Sequence, residues 1–134
     1  MKPGSRTVST DTCVPISRLA ECVTAASEAA TAAGMAHYIV GHVGDGNFHI
    51  AYLVDPKVPG ERETAERLNH ELVKRAIDVQ GTCSGEHGIG LHKMEFLVDE
   101  AGAGAVDMMR TLKRALDPKN ILNPGKIFAL DATH

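Results

Sequence analysis

The sequence predicts an α+β fold, in which a small antiparallel sheet carries helices on one face in a ferredoxin-like arrangement, followed by a C-terminal helical tail. The first observation behind this prediction is that two segments with the apolar spacing of a helix alternate with β-rich runs. The second is that two β-rich runs flank Asp45-Gly46, which is a strong signal for a β-hairpin. The length of 134 residues suits one domain with a modest core.

The predicted elements follow in the order strand, helix, hairpin, helix. Apolar and polar residues roughly alternate over residues 8–14, which predicts a short strand. Pro15 is suited to the start of a helix, and Gly34 to its end. A second amphipathic helix is predicted over residues 61–79. The residues predicted to face the core on these two helices are Ile16, Leu19, Ala20, Val23 and either Ala26 or Ser27 on the first, and Ala65, Leu68, Leu72, Val73, Ala76 and Ile77 on the second.

The domain organisation is predicted to be simple. We expect residues 1–8 to form a disordered or truncated start, residues 9–128 to form the domain, and residues 129–134 to form a short tail. Two further helices, near residues 92–99 and 102–116, supply the helical end of the domain. The chain shows no internal repeat and no low-complexity linker.

Composition excludes several classes of protein. The net charge is -3, and Lys and Arg form no run, so the sequence carries no electrostatic signature of nucleic-acid binding. Three cysteines without paired spacing argue against a disulfide framework and favour a reducing compartment. No apolar segment has the length of a membrane span, and the N-terminus lacks the apolar stretch of a signal peptide. We therefore expect a cytoplasmic protein.

The predicted hairpin brings two histidines together. If Asp45-Gly46 forms a two-residue turn, His42 lies directly opposite His49, with Cβ atoms about 4.5–5.5 Å apart on the same face of the sheet. One divalent ion could then bind between the two rings, whereas His37 falls on the other face. The alternative is that both rings are polar groups on the solvent side of a hairpin, and a longer turn would change the register. The layer predicted on the opposite face consists of Val43, Phe48 and Ile50.

A glycine-rich loop over residues 81–90 places a carboxylate next to an imidazole. Glu86 could supply a third ligand, since two imidazole nitrogens and one carboxylate oxygen suit a divalent transition ion with open positions. His87 would then be free to act as a base, because histidine titrates near neutral pH. The alternative is a loop leading into a helix, where Glu86 favours the helix N-terminus. The residues alone leave both interpretations open.

Three segments carry a resemblance to a known family. They are residues 41–49 (Gly-His-Val-Gly-Asp-Gly-Asn-Phe-His), residues 81–90 (Gly-Thr-Cys-Ser-Gly-Glu-His-Gly-Ile-Gly) and residues 116–126 (Leu-Asp-Pro-Lys-Asn-Ile-Leu-Asn-Pro-Gly-Lys). Together they resemble the C-terminal domain of FAD-linked oxidases of the vanillyl-alcohol oxidase type, in particular its D-lactate dehydrogenase (cytochrome) and glycolate oxidase flavoprotein members. Three ordered motifs are far more specific than any one of them.

The resemblance implies part of an FAD-dependent D-2-hydroxy-acid dehydrogenase of the D-lactate type. His42, His49 and Glu86 match the family's metal ligands, and His87 matches its general base. Asn123 matches a position near the flavin, although the residues alone indicate a terminal turn there. The implied cofactors are FAD, bound mainly by a domain that would precede this one, and a divalent ion such as zinc, manganese or iron.

The resemblance also implies partners. These are a small D-2-hydroxy acid, a flavin-binding domain and an electron acceptor such as cytochrome c. The implied location of the protein is the cytoplasm or the periphery of a respiratory membrane. Ala51 favours a small substrate, because the similar 2-hydroxyglutarate enzymes have a polar Asn there. A homodimer is compatible with the sequence. We expect the chain alone to be inactive, since its hydride acceptor lies elsewhere. The alternatives are a stand-alone metal-binding or interaction module, or an inactive remnant.

Overall fold

The computed structural model describes residues 4–130, which form two compact units, one ending at Glu86 and the other beginning at His87. The predicted α+β class is confirmed. None of the helices in this part of the chain is long and apolar enough to cross a membrane. The first unit contains β1 (Arg6–Ser9), β2 (Thr12–Cys13), α1 (Ile16–Ala32), β3 (His37–His42), β4 (Asn47–Val54) and α2 (Glu61–Asp78), and the second contains α3 (Met94–Ala101) and α4 (Ala103–Leu116).

The sheet is built around β4, and all its strands are antiparallel. β3 pairs with β4 along one edge, and β1 and β2 follow one another along the other edge. β1 and β2 share one register on β4, since Ser9 pairs with Ala51 and Thr12 pairs with Phe48. After α2 the chain returns to the outer side of β2, where Thr82 forms an isolated bridge with Cys13. This strand order is the ferredoxin-like one, with its outermost strand reduced to a single bridge.

The first strand differs from its predicted bounds. It begins at Arg6 rather than at residue 8, and it is interrupted between Ser9 and Thr12. Arg6 and Thr7, expected in a frayed start, therefore pair with β4. Val8, the last residue of that expected start, also belongs to β1, and residues 1–3 lie outside the described residues.

Helices α1 and α2 cover one face of β4, as predicted. Ile16 and Ala20 were predicted to face the core and are exposed instead, Ile16 by 63%. The prediction was wrong because the buried stripe of α1 is centred on Cys22 and Ala26, which leaves these two side chains beyond its edge. The remaining predicted core positions of both helices are buried or partly buried. The core cluster on this face consists of Val14, Cys22, Ala26, Ala30, Met35, Phe48, Ile50, Tyr52, Val54, Ala65, Leu68, Leu72 and Ala76.

The second unit contains the two predicted C-terminal helices and a buried carboxylate at the end of α4. Asp117 is 6% exposed and accepts hydrogen bonds from the backbone N–H groups of Ile121 (3.0 Å) and Leu122 (2.9 Å). Lys113 donates a further hydrogen bond to it from Nζ. The Lys113 hydrogen bond, with smaller contributions from the two backbone donors, outweighs desolvation and lowers the pKa of Asp117 to about 2.

The lowered pKa of Asp117 predicts a pH-dependent stability. Because the folded-state pKa lies below the unfolded value of 3.8, the contribution of Asp117 is complete above that value and is lost as pH falls towards about 2. The unfolding temperature of the parent should therefore fall more steeply than that of Asp117→Asn between about pH 5 and about pH 2. Thermal unfolding followed by circular dichroism measures both, and parallel pH profiles for the two proteins would contradict the prediction.

Candidate metal centre

Three of the predicted site residues meet on the face of β4 that is turned away from α1 and α2. His42 ends β3, His49 lies within β4, and Glu86 follows the glycines of the loop after α2. Each offers one ligand atom, and these atoms all lie within 4.8 Å of one another. Glu86 Oε1 is 3.0 Å from His49 Nε2 and 3.9 Å from His42 Nε2. Because His49 is buried while His42 and Glu86 are exposed, the cluster is anchored on one side and open on the other.

The predicted pairing of His42 with His49 has the wrong register, but the prediction that both side chains lie on one face of the sheet is correct. His42 pairs with Asn47, and His49 pairs with Val40. The turn is two residues longer than predicted, and a change by an even number of residues preserves which side of the sheet each side chain takes. The two rings are therefore diagonal neighbours on one face, with centroids 6.5 Å apart.

The turn between β3 and β4 explains the changed register. Val43–Asp45 forms a short 3₁₀ turn, and Gly46 follows with a φ of 75° in the left-handed region. Val43, predicted in a buried layer, lies in this turn and is 66% exposed, whereas Phe48 and Ile50 are buried as predicted. The prediction for Val43 fails because the residue belongs to the turn and has no partner position on β4.

Cys13 at the end of β2 and Val14 directly after it hold this turn in place. The backbone N–H of Val14 donates to the carbonyl of Gly46 at 3.0 Å, and Cys13 Sγ donates to the carbonyl of Asp45 at 3.1 Å. Burial, followed by the charges of Asp45 and Asp11, raises the pKa of the Cys13 thiol. Cys13 therefore stays protonated and serves as a hydrogen-bond donor to the turn rather than as a thiolate ligand.

A backbone carbonyl determines which nitrogen His49 presents. His49 Nδ1 lies 3.0 Å from the carbonyl oxygen of Thr10. A carbonyl oxygen can only accept, so Nδ1 carries a proton, and Nε2 is the nitrogen turned towards Glu86. His37, by contrast, bonds to the carbonyl of Met35 and the hydroxyl of Ser27, outside this cluster as predicted.

Asp11 is a buried residue at this site that the sequence analysis did not identify. It is 2% exposed, and the shared register of β1 and β2 places it opposite His49. Its carboxylate accepts hydrogen bonds from Ser84 Oγ at 2.9 Å and from the backbone N–H of Glu86 at 3.2 Å. The available signal was an acidic residue inside a predicted strand, because a charge at a buried strand position requires polar partners.

Gly85 allows the loop to pass close to β4. A Cβ atom added there would lie 2.2 Å from Asn47 Oδ1 and 2.8 Å from Asp11 Oδ1. The close approach of Glu86 to His49 therefore depends on the absence of a side chain at the preceding residue.

The other two predicted site residues lie in the second unit. His87 is exposed and directly follows Glu86 in the chain. Asn123 is exposed in the segment after α4, with a φ of 46° in the left-handed region that asparagine tolerates. Their roles as base and flavin contact stay predictions.

Comparison with known proteins identifies the family. A family model described as FAD linked oxidases, C-terminal domain, matches residues 1–127. This chain belongs to that family. The FAD-linked oxidase domain is 47% identical over 129 residues to the mitochondrial D-lactate dehydrogenase [cytochrome] of Kluyveromyces lactis, covering 96% of this chain and 22% of the relative. It is 40% identical over 126 residues to the glycolate oxidase subunit GlcD of Bacillus subtilis, covering 94% of this chain and 27% of the relative. The chain thus spans roughly a quarter of the length of these relatives.

The tight packing of Gly85 predicts a specific cost for adding a methyl group. Gly85→Ala must displace the side chains of Asn47 and Asp11, which should cost about 1–3 kcal/mol of unfolding free energy. Gly44→Ala is the matched control, because an added Cβ there meets nothing within 4 Å, and it should change stability by less than about 0.5 kcal/mol. Urea unfolding measures both variants. Equal stabilities would show that the loop does not pack against β4 in this way.

Proposed function

We propose that this FAD-linked oxidase domain is the metal- and substrate-binding part of an FAD-dependent D-2-hydroxy-acid dehydrogenase of the D-lactate type. The reaction would convert a small D-2-hydroxy acid into a 2-oxo acid. The observation that carries the proposal is the convergence of His42, His49 and Glu86 in an open cluster, within a chain of this family. Relatives named D-lactate dehydrogenase and glycolate oxidase support the substrate class.

The donor set fits a divalent transition ion. Two imidazole nitrogens and one carboxylate oxygen suit zinc, manganese or iron(II), and three protein ligands leave positions for substrate oxygens. The His49 tautomer agrees with this role, because Nε2 is the nitrogen turned towards Glu86. An ion held there would supply Lewis acidity that makes the substrate hydroxyl more acidic.

The remaining chemistry needs a base and a hydride acceptor. His87 is proposed to take the hydroxyl proton as the hydrogen on the same carbon leaves as hydride, so that the alcohol becomes a carbonyl. FAD is the proposed acceptor, held mainly by a flavin-binding domain, with Asn123 near the flavin. His87 directly follows Glu86 in the chain, which supports a base and a metal ligand acting at the same site. Ala51, two residues after His49 on β4, favours a small substrate.

The site face also bears exposed apolar side chains. Tyr38 and Val40 on β3 are 46% and 55% exposed, and Val43 in the adjacent turn is exposed as well. We propose that the flavin-binding domain covers them, since apolar patches of this kind mark contact surfaces, and a homodimer is the alternative occupant. The word cytochrome in the names of two relatives supports a cytochrome as electron acceptor, and both names also carry the word mitochondrial. A location in the cytoplasm or peripheral to a respiratory membrane stays a proposal.

A stand-alone metal-binding module is the second candidate function. It is favoured by one observation, which is that all three ligands belong to the first unit. This candidate also requires metal binding, but it requires no turnover when a flavin domain is supplied. The third alternative, an inactive remnant, requires neither metal binding nor turnover.

Metal binding is the first test. The parent should bind one equivalent of zinc or manganese, and the double variant His42→Ala, His49→Ala should lose it, because two of three ligands are gone. His70→Ala is the control, since His70 is an exposed histidine on α2 outside the cluster. Elemental analysis and titration calorimetry report stoichiometry and affinity. A parent that binds no metal under these conditions would count against both candidates.

Turnover is the second test. A chimera that joins this chain to the flavin-binding region of a D-lactate dehydrogenase relative should reduce a dye acceptor with D-lactate. His87→Gln in the chimera should lower kcat by about 10²–10⁴-fold while leaving metal content unchanged, because it removes the base but no ligand. His92→Gln, at an exposed position in the same unit, is the control. An active chimera whose His87→Gln variant keeps the parental kcat would remove His87 from the mechanism.

A further inference from the structure

We propose that Asp11 is the positioning residue of this metal centre, tethering the Glu86 loop to β4 and orienting His49. The inference rests on the proposed metal site. Asp11 joins three segments that are distant in sequence, because it lies in the interrupted strand between β1 and β2, faces β4, and bonds to the loop after α2. Its carboxylate is 2% exposed, so its charge must be balanced by these neighbours.

The first contact of Asp11 is with the loop. Ser84 Oγ donates to Oδ2 at 2.9 Å, and the Glu86 N–H lies 3.2 Å from each carboxylate oxygen. These bonds hold the backbone of Glu86 rather than its side chain. The Glu86 carboxylate is therefore left to face the two histidines, at 3.0 Å from His49 Nε2.

The second contact is with the ring of His49. Asp11 Oδ1 lies 3.7 Å from His49 Nδ1, which is the protonated nitrogen that donates to the Thr10 carbonyl. A carboxylate on this side of an imidazole favours that tautomer and increases the electron-donating strength of Nε2. Asp11 is not itself a ligand in this arrangement, because it lies on the side of the ring opposite to Nε2.

Asp117 provides a matched control for this inference. It is also a buried carboxylate, and it also accepts hydrogen bonds from the backbone of a loop. It belongs to the second unit and is not in the metal cluster. Substitution of either residue removes a buried loop-binding carboxylate, but substitution of Asp11 alone should change the metal site.

The experiment measures metal affinity in the whole chain. Titration of Zn²⁺ and Co²⁺ into the parent, Asp11→Ala, Asp11→Asn, Ser84→Ala and Asp117→Ala gives dissociation constants, and the visible absorption of the Co²⁺ complex reports ligand geometry. Asp11→Ala should weaken binding by about 10–100-fold and change the Co²⁺ spectrum. Asp11→Asn should recover part of the loss, because its amide oxygen can still accept from the Glu86 N–H. Ser84→Ala, which removes one donor and keeps the carboxylate, should weaken binding by less than Asp11→Ala.

The outcomes separate this inference from the proposed function. A parent that binds no metal overturns the metal site, and the inference with it. A parent that binds metal, together with Asp11 variants of parental affinity and spectrum, overturns the role of Asp11 alone. An equal loss in Asp117→Ala would also overturn it, because the effect would then follow from general destabilisation. If Asp11→Ala does not fold, Asp11→Asn and Ser84→Ala decide, since unchanged affinity in both contradicts the tether.

Discussion

The burial of β4 on both faces is the constraint on which the first unit depends. Helices α1 and α2 cover one face, and on the other face Asn47 and His49 are 5% and 9% exposed although no helix of this unit packs there. Both edges of β4 are also hydrogen-bonded to neighbouring strands. A strand held on all sides cannot shift its side chains. His49 is therefore fixed in position, whereas the other two residues of the cluster, His42 and Glu86, are more exposed.

Glu86, the third candidate ligand, reaches His49 because the sheet ends early on that side. After α2 the chain makes a single bridge, between Thr82 and Cys13, at the position of the outermost strand of a ferredoxin-like sheet. Had pairing continued, Glu86 would lie along the edge of the sheet. The chain instead crosses the face beside Gly85, and the hydrogen bonds to Asp11 replace the lost backbone pairing. The site is therefore a consequence of the shortened strand.

Features that depend on local sequence pattern were predicted correctly, whereas features that depend on contacts between distant segments were not. Apolar spacing predicted the helices, and the parity of strand side chains put His42 and His49 on one face despite the wrong register. The register itself depends on bonds from Cys13 and Val14 to the turn, about 30 residues away along the chain, and no hairpin rule contains them. Asp11 was missed for the same reason, since its partners Ser84 and Glu86 come after α2 in the sequence, more than 70 residues away.

The boundary between the two units falls between the candidate metal ligands and the candidate base. The three candidate ligands all precede it, and His87 is the first residue after it. Consecutive Cα atoms are about 3.8 Å apart across a trans peptide, so the backbone of the candidate base stays near that of the candidate ligand for covalent reasons. The candidate metal centre therefore consists of residues of the first unit alone, and the candidate base is joined to it through one peptide bond. This division explains why metal affinity and turnover should respond to different substitutions in one short motif.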